Sequence, residues 1–253
     1  MIRQDPLHKI IDKNDLSDKI KNMRTRYVIV IAAVVLAIIS ANNLFAVPCY
    51  GTHMPGKKKF FGGVEYNYII KRELEHDHGR VKNPDQFLMV SYGIFDWLSL
   101  DLKGGSGKIY YKDSEYGDQE FATSFAGGYG FRIRLWQNKN KDIKVVTGFQ
   151  HISVHPKRVH SADGRYSIVI DEWQGSCLGS VRIKQFDPYL GFKYETFDLI
   201  RWLKDANRKR YKSEDNWGLV VGTDLWLGKN TKLNLEYHVL DETAASVSLT
   251  REF

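Results

Sequence analysis

The stretch from Asn216 to Phe253, NWGLVVGTDLWLGKNTKLNLEYHVLDETAASVSLTREF, is patterned with a period of two, and this constrains the chain most. Trp217, Leu219, Val221, Thr223, Leu225 and Leu227 fall on one side, and Gly218, Val220, Gly222, Asp224 and Trp226 on the other. That period means a strand. After Gly228-Lys229-Asn230 the alternation restarts, with Leu233, Leu235, Tyr237 and Val239 opposed to Lys232, Asn234, Glu236 and His238. A third run follows Asp241-Glu242, setting Val247, Leu249 and Phe253 against Ser246, Ser248, Thr250 and Glu252. Antiparallel strands of this kind belong either to a soluble sandwich, whose apolar faces meet, or to a membrane barrel, whose apolar face meets lipid.

Upstream the same period predicts seven further strands: 62–74, 87–92, 97–103, 121–136, 143–150, 168–184 and 190–195. The links alternate between long polar stretches, such as 75–86 and 104–119, and tight turns, such as Gly93-Ile94-Phe95-Asp96 and QNKNK. Gly104-Gly105-Ser106-Gly107-Lys108 reads as a flexible loop tip, and LIRWLKDANRKR within 198–215 as a possible short helix. A meander inserted into a membrane from one side sorts its links in this way, with short turns inside and long loops outside. Greek-key crossovers of a sandwich would break that order. The expected fold is all-β, a transmembrane antiparallel up-and-down β-barrel of about ten strands over residues 61–253.

Residues 1–46 read as a leader. Tyr27 to Ile39 is an apolar run too short to span a bilayer as a helix, flanked by Arg24 and Arg26 and followed by small residues up to Ala46, which describes a cleaved signal peptide. Met23 is the expected start of translation. Residues 47–60, with Lys57-Lys58-Lys59, then form a solvated periplasmic stub. The net charge of +7 overstates the mature excess, because the leader is basic, and no Lys/Arg tract among aromatics argues for nucleic acid. Two cysteines, Cys49 and Cys177, make no disulfide framework.

The three closing strands and the terminal Phe253 resemble the end of bacterial outer-membrane β-barrel proteins, and DEWQGSCLGSVRIKQFDPYLGFKYE and SYGIFDWLSLDLKGG resemble recurring pieces of small members. The resemblance implies an outer-membrane location, contact with outer-membrane lipids, Phe253 as part of the signal read by the barrel-assembly machinery, and a monomer. Arg251 stands where that signal usually has an aromatic or apolar residue.

With the apolar set turned to lipid, the lumen receives Glu65, Asp101, Lys103, Arg132, Arg134, Arg182, Lys184, Lys193, Glu195, Asp224, Glu236 and His238. About ten strands enclose little more than side chains, so the expectation is a narrow or plugged polar lumen in a structural or porin-like protein. An outer-membrane hydrolase is the alternative. His151-x-Ser153 resembles the element of lipid A deacylases, with Asp171 or Glu172 as the orienting carboxylate, although Val154 stands where that family has Asn. A soluble secreted sandwich or lipocalin-like binder is the other alternative. Neither Glu75-His76-Asp77-His78 nor any other cluster has metal-ligand spacing, and no cofactor is expected.

Overall fold

The computed structural model describes residues 51–113, 117–140, 142–161, 164–203 and 208–253. The leader, Met23, the cleavage site and Cys49 lie outside the described residues. Twelve strands follow in chain order: β1 Phe60–Glu73, β2 Arg80–Phe95, β3 Leu98–Asp113, β4 Gly117–Gln137, β5 Ile143–His155, β6 Val159–Ser161, β7 Gly164–Val181, β8 Phe186–Leu203, β9 Lys209–Lys212, β10 Trp217–Trp226, β11 Thr231–Val239 and β12 Thr243–Glu252. Every pairing is antiparallel. The ring closes because β1 pairs with β12 from Phe61↔Glu252 to Lys71↔Thr243, and β7 pairs with β8. Setting aside the short β6 and β9, which edge β7 and β8, ten strands make the wall.

Alternation decides what each face meets. Outward positions carry Leu88, Leu102, Leu190 and Phe192, each more than 60% exposed, while inward neighbours such as Asp101, Lys103 and Lys193 are at most 3% exposed. A closed wall that is greasy outside and charged inside is stable only with hydrocarbon around it, because no second layer among the described residues covers the apolar set. The chain is therefore a ten-stranded transmembrane barrel of the outer-membrane kind, and the soluble sandwich and lipocalin-like alternatives fall. Phe60, Tyr92, Phe95, Trp97, Trp136, Phe186 and Phe253 gird the end that carries the short turns, the periplasmic end in this topology. Among the described residues no helix is long and apolar enough to cross a membrane, which says nothing against strands.

The strands run further than the apolar pattern indicates. Residues 80–86, 104–113 and 117–120 extend β2, β3 and β4, so Gly104–Lys108 is strand interior rather than a loop tip. Asp198–Leu203 continues β8 and Lys209–Lys212 forms β9, where the sequence suggested a short helix. The reason is common to all: above the membrane the outward face meets water and turns polar while apolar residues such as Val81, Ile109 and Phe121 point inward, so the apolar-outward pattern stops while backbone pairing continues. A bulge between Ile69 and Arg72 also shifts register in β1. It turns Lys71 outward and Arg72 inward, reversing the faces that strict alternation assigns.

Candidate functional site in the barrel lumen

The lumen is filled at three levels. At the periplasmic mouth the segment preceding β1 enters the barrel: Gly51, Thr52, Met54 and Pro55 are buried, and only from Lys57 is it exposed. Residues 51–56 thus form a plug rather than a solvated stub. Thr52 Oγ1 donates to Ser180 Oγ at 2.7 Å, and Arg132 donates to the His53 carbonyl at 2.7 Å while gripping Asp101 through Nε and Nη2 at 3.0 and 2.7 Å. The His53 ring stacks on Phe61 and meets the edge of Trp226. Gly93 admits the plug, because a Cβ there would collide with the Gly56 carbonyl. Around it Lys232 pairs with Asp224 (3.0 Å), and Asp187 receives Lys144 (3.7 Å) and a two-point contact from Arg182 (2.8 and 2.9 Å). Burial first, then the charges of Lys232, Lys144, Arg132 and Arg182, push the His53 imidazole well below its ordinary pKa, so it is neutral at pH 7.

The middle level is a charge network. Asn234 bonds both Asp224 and the Tyr189 hydroxyl at 2.8 Å, and Tyr189 donates to Glu236 at 2.6 Å. His238 lies between Glu236 at Nε2 and Glu242 at Nδ1, both at 2.9 Å. Lys193 reaches Glu195 (2.8 Å), Asp241 (2.9 Å) and Glu242. Arg72 reaches Glu172 (3.2 Å), Glu195 and Glu242, and lies over the Phe197 ring. The carboxylates of Glu195, Asp241 and Glu242 are close enough together to hold a metal ion, but the Lys193 ammonium supplies the cation among them. Lys103 and Asn67 hold Glu65 at 3.1 and 3.0 Å.

Asp241 and Glu242 belong to the β11–β12 connection, outside the membrane-spanning strands, and fold back into the lumen. Burial lifts the Asp241 carboxyl to about 6, against the pull of Lys193 and with the push of Glu195 and Glu242. Burial works the same way on Glu242, but Arg72 and Lys193 outweigh it and hold that carboxyl below the usual range. Above this level the interior is apolar: Ile69, Leu74, Val81, Ile109, Phe121, Val154, Ile168, Ile170 and Leu199 pack into one cluster, with Arg201 paired to Asp113 beside it.

The structure places Glu65, Asp101, Lys103, Arg132, Lys193, Glu195, Asp224, Glu236 and His238 inside, with their side chains buried. Arg134 is half-buried near the periplasmic rim and bonds Gln137 at 3.2 Å. Lys184 and Arg182 depart from the expectation. Lys184 takes φ 57 in the exposed β7–β8 turn, and Arg182 lies at the exposed foot of β7, because that strand ends at Val181. Sequence reasoning missed Arg72, hidden by the bulge, and Asp241 and Glu242, which belong to no alternating run. Phe253 is exposed at the seam, its backbone N–H donating to the Phe60 carbonyl at 2.9 Å.

The proposed catalytic residues divide between the two faces. Glu172 points inward to Arg72, since its parity on β7 is opposite to that of Asp171, so it cannot orient His151. On the outer wall His151 Nε2 lies 2.6 Å from Asp171, and Ser153 Oγ lies 2.9 Å from His155 Nε2 and 3.2 Å from the Ile170 carbonyl. Ser153 is directly across from Asp171. Tyr129 and Trp173 pack against the His151 ring, and Phe149 against Trp173. Glu75–Asp77 forms a 3-10 turn with His76 exposed.

No family model and no curated protein matches the chain. Among solved structures it is similar to an outer membrane channel from Pseudomonas putida F1 (10% identity, 82% of this chain and 100% of that one, TM-score 0.43). It is also similar to the translocator domain of the autotransporter NalP from Neisseria meningitidis (11%, 94% and 97%, 0.44) and to Ail, the attachment invasion locus protein of Yersinia pestis (11%, 79% and 100%, 0.37). These are likenesses of fold alone.

Proposed function

We propose that the protein is a structural outer-membrane barrel whose lumen is closed at rest, porin-like in wall but not in conductance. The observation that carries this reading is the triple filling of the lumen, by residues 51–56, by the Arg72–Lys193 network and by the apolar cluster above it. Side chains suffice to block a wall of this strand number. Single-channel recording in planar bilayers tests it: wild-type protein, and a variant lacking residues 51–56, both give no steady current, since the network still blocks the second. Steady conductance through the wild type would sink the reading.

A second reading, a hydrolase acting on lipid, is favoured by one observation. Ser153 Oγ is within proton-transfer distance of His155, and His151 is within that distance of Asp171, on the outer wall beside the aromatic belt. In that reading His155 takes the Ser153 proton as the oxygen attacks an ester carbonyl, returns it to the alcohol that leaves as the ester C–O bond breaks, and water then hydrolyses the acyl-Ser153, while Asp171 keeps His151 oriented beside it. The assay is ester cleavage in mixed micelles; activity that survives Ser153→Ala removes the assignment.

A further inference from the structure

Above the apolar belt the outward faces of β1, β2 and β3 change character together. On β2 the outward series from the periplasmic side reads Val90, Leu88, Gln86, Pro84, Lys82, Arg80. On β3, Leu100 and Leu102 give way to Lys108, Tyr110 and Lys112, and on β1 Tyr66 and Tyr68 are followed, past the bulge, by Lys71. Cross-strand register sets Lys82 beside Tyr110 and Arg80 beside Lys112, and the Lys108 ammonium lies over the Tyr110 ring at 4.5 Å. Three of these cations are matched: Lys71 by Glu73 at 2.6 Å, Lys112 by Asp118 at 3.7 Å and Lys108 by Glu120. Arg80 also stands across from Glu73 on β1, but that carboxylate is engaged by Lys71, and among the described residues neither Arg80 nor Lys82 has a carboxylate within ion-pairing distance.

We propose that this tyrosine-floored patch, with Arg80 and Lys82 as its uncompensated charges, binds the phosphate-bearing headgroup of an outer-leaflet lipid. The inference deepens the membrane reading and rests on the barrel's insertion. Three features select the occupant. The patch faces sideways from the wall rather than up into solvent, so its neighbours are lipids and not soluble proteins. It begins where the aliphatic outward residues end, so a bound lipid lays acyl chains on Leu88, Val90 and Leu102 while its phosphates reach Lys82 and Arg80. Like charges two residues apart on one strand face disfavour each other, and a multiply charged anion removes that repulsion. Tyrosine hydroxyls at the same height add donors to phosphate oxygens where hydrocarbon meets headgroup.

The test uses the full folded barrel in detergent micelles, with bis-phosphorylated lipid A and the same lipid after removal of both phosphates as probes, and native mass spectrometry to count retained lipid. Wild type retains the phosphorylated probe preferentially. The variant Arg80→Gln/Lys82→Gln loses that preference by about thirtyfold, the effect of removing two cations near an anionic surface. It keeps its heat-modifiable gel migration, which separates loss of the site from loss of insertion. Removing two exposed cations elsewhere, Lys209→Gln/Lys212→Gln, leaves the preference in place. Equal retention of both probes by wild type, an equal loss in the Lys209/Lys212 variant, or displacement of the lipid by free inorganic phosphate would overturn the proposal.

Discussion

Arg72 illustrates how much one buried charge decides. Its guanidinium touches Glu172, Glu195 and Glu242, all with side chains at most 2% exposed, so Arg72→Met strips a cation from three buried carboxylates, of which Lys193 still reaches Glu195 and Glu242. Removing one partner of such a group costs about 3–5 kcal/mol. Lys71 also pairs with a carboxylate, Glu73, but both side chains are exposed, and Lys71→Met costs about 0–1 kcal/mol. Urea unfolding of the two variants in lipid vesicles measures the contrast; equal losses would mean that the network is not what holds the wall. Asp241 gives a pH signature. Its folded pKa, about 6, stands above the ordinary value of about 3.9, so its contribution is fully present below about pH 3.9 and is lost as pH rises through about 6. Asp241→Asn abolishes that fall in stability across the window, read as the urea midpoint against pH. Glu242 runs the other way: its lowered pKa gives stability above the ordinary carboxylate range that is lost in acid.

At the scale of elements, the plug of residues 51–56 and the strand ends are where sequence and structure part. Strand identity and facing were legible wherever one side met lipid, as in Leu98, Leu100 and Leu102 against Ser99, Asp101 and Lys103. That signal is created by hydrocarbon and vanishes above it, so polar 80–86 and 104–113 look like loops although they are paired strand. The β1 bulge was invisible because one extra residue leaves composition unchanged while inverting every face beyond it. Nothing in GTHMPG announces a plug; its fit depends on cavities supplied by Gly93, Ser180 and Trp226, far away in sequence. The candidate lumen residues were named from parity alone, which finds a face but not a partner. Docking of the plug has its own pH dependence. His53 has a folded pKa below its unfolded value of about 6.5, so its contribution is present above that pH and is lost as pH falls through the window beneath it. Hydrogen exchange at residues 52–54, compared at neutral and mildly acidic pH after correction for intrinsic rates, should show loss of protection in acid, and His53→Gln should remove the difference.

For the whole molecule, one physical condition holds the parts together: the outward face meets hydrocarbon while the inward face satisfies itself. The closed wall leaves the hydrocarbon no unpaired backbone edge, and the charges it encloses pair with one another. The condition makes a depth-dependent prediction. Leu102 is outward, 63% exposed, and stands in the apolar run of β3, whereas Ser106 is outward on the same strand, just below Lys108 and Tyr110. Leu102→Arg costs about 2–4 kcal/mol, approaching the midplane value, and Ser106→Arg, near the interface, about 0–1 kcal/mol. A water-soluble barrel would tolerate arginine equally at both outward sites. Reversible unfolding from vesicles at a series of urea concentrations distinguishes the two cases. The ordering matters more than either value, since it is set by how far each site lies from the headgroups and by nothing in the local backbone, which is the same strand at both positions.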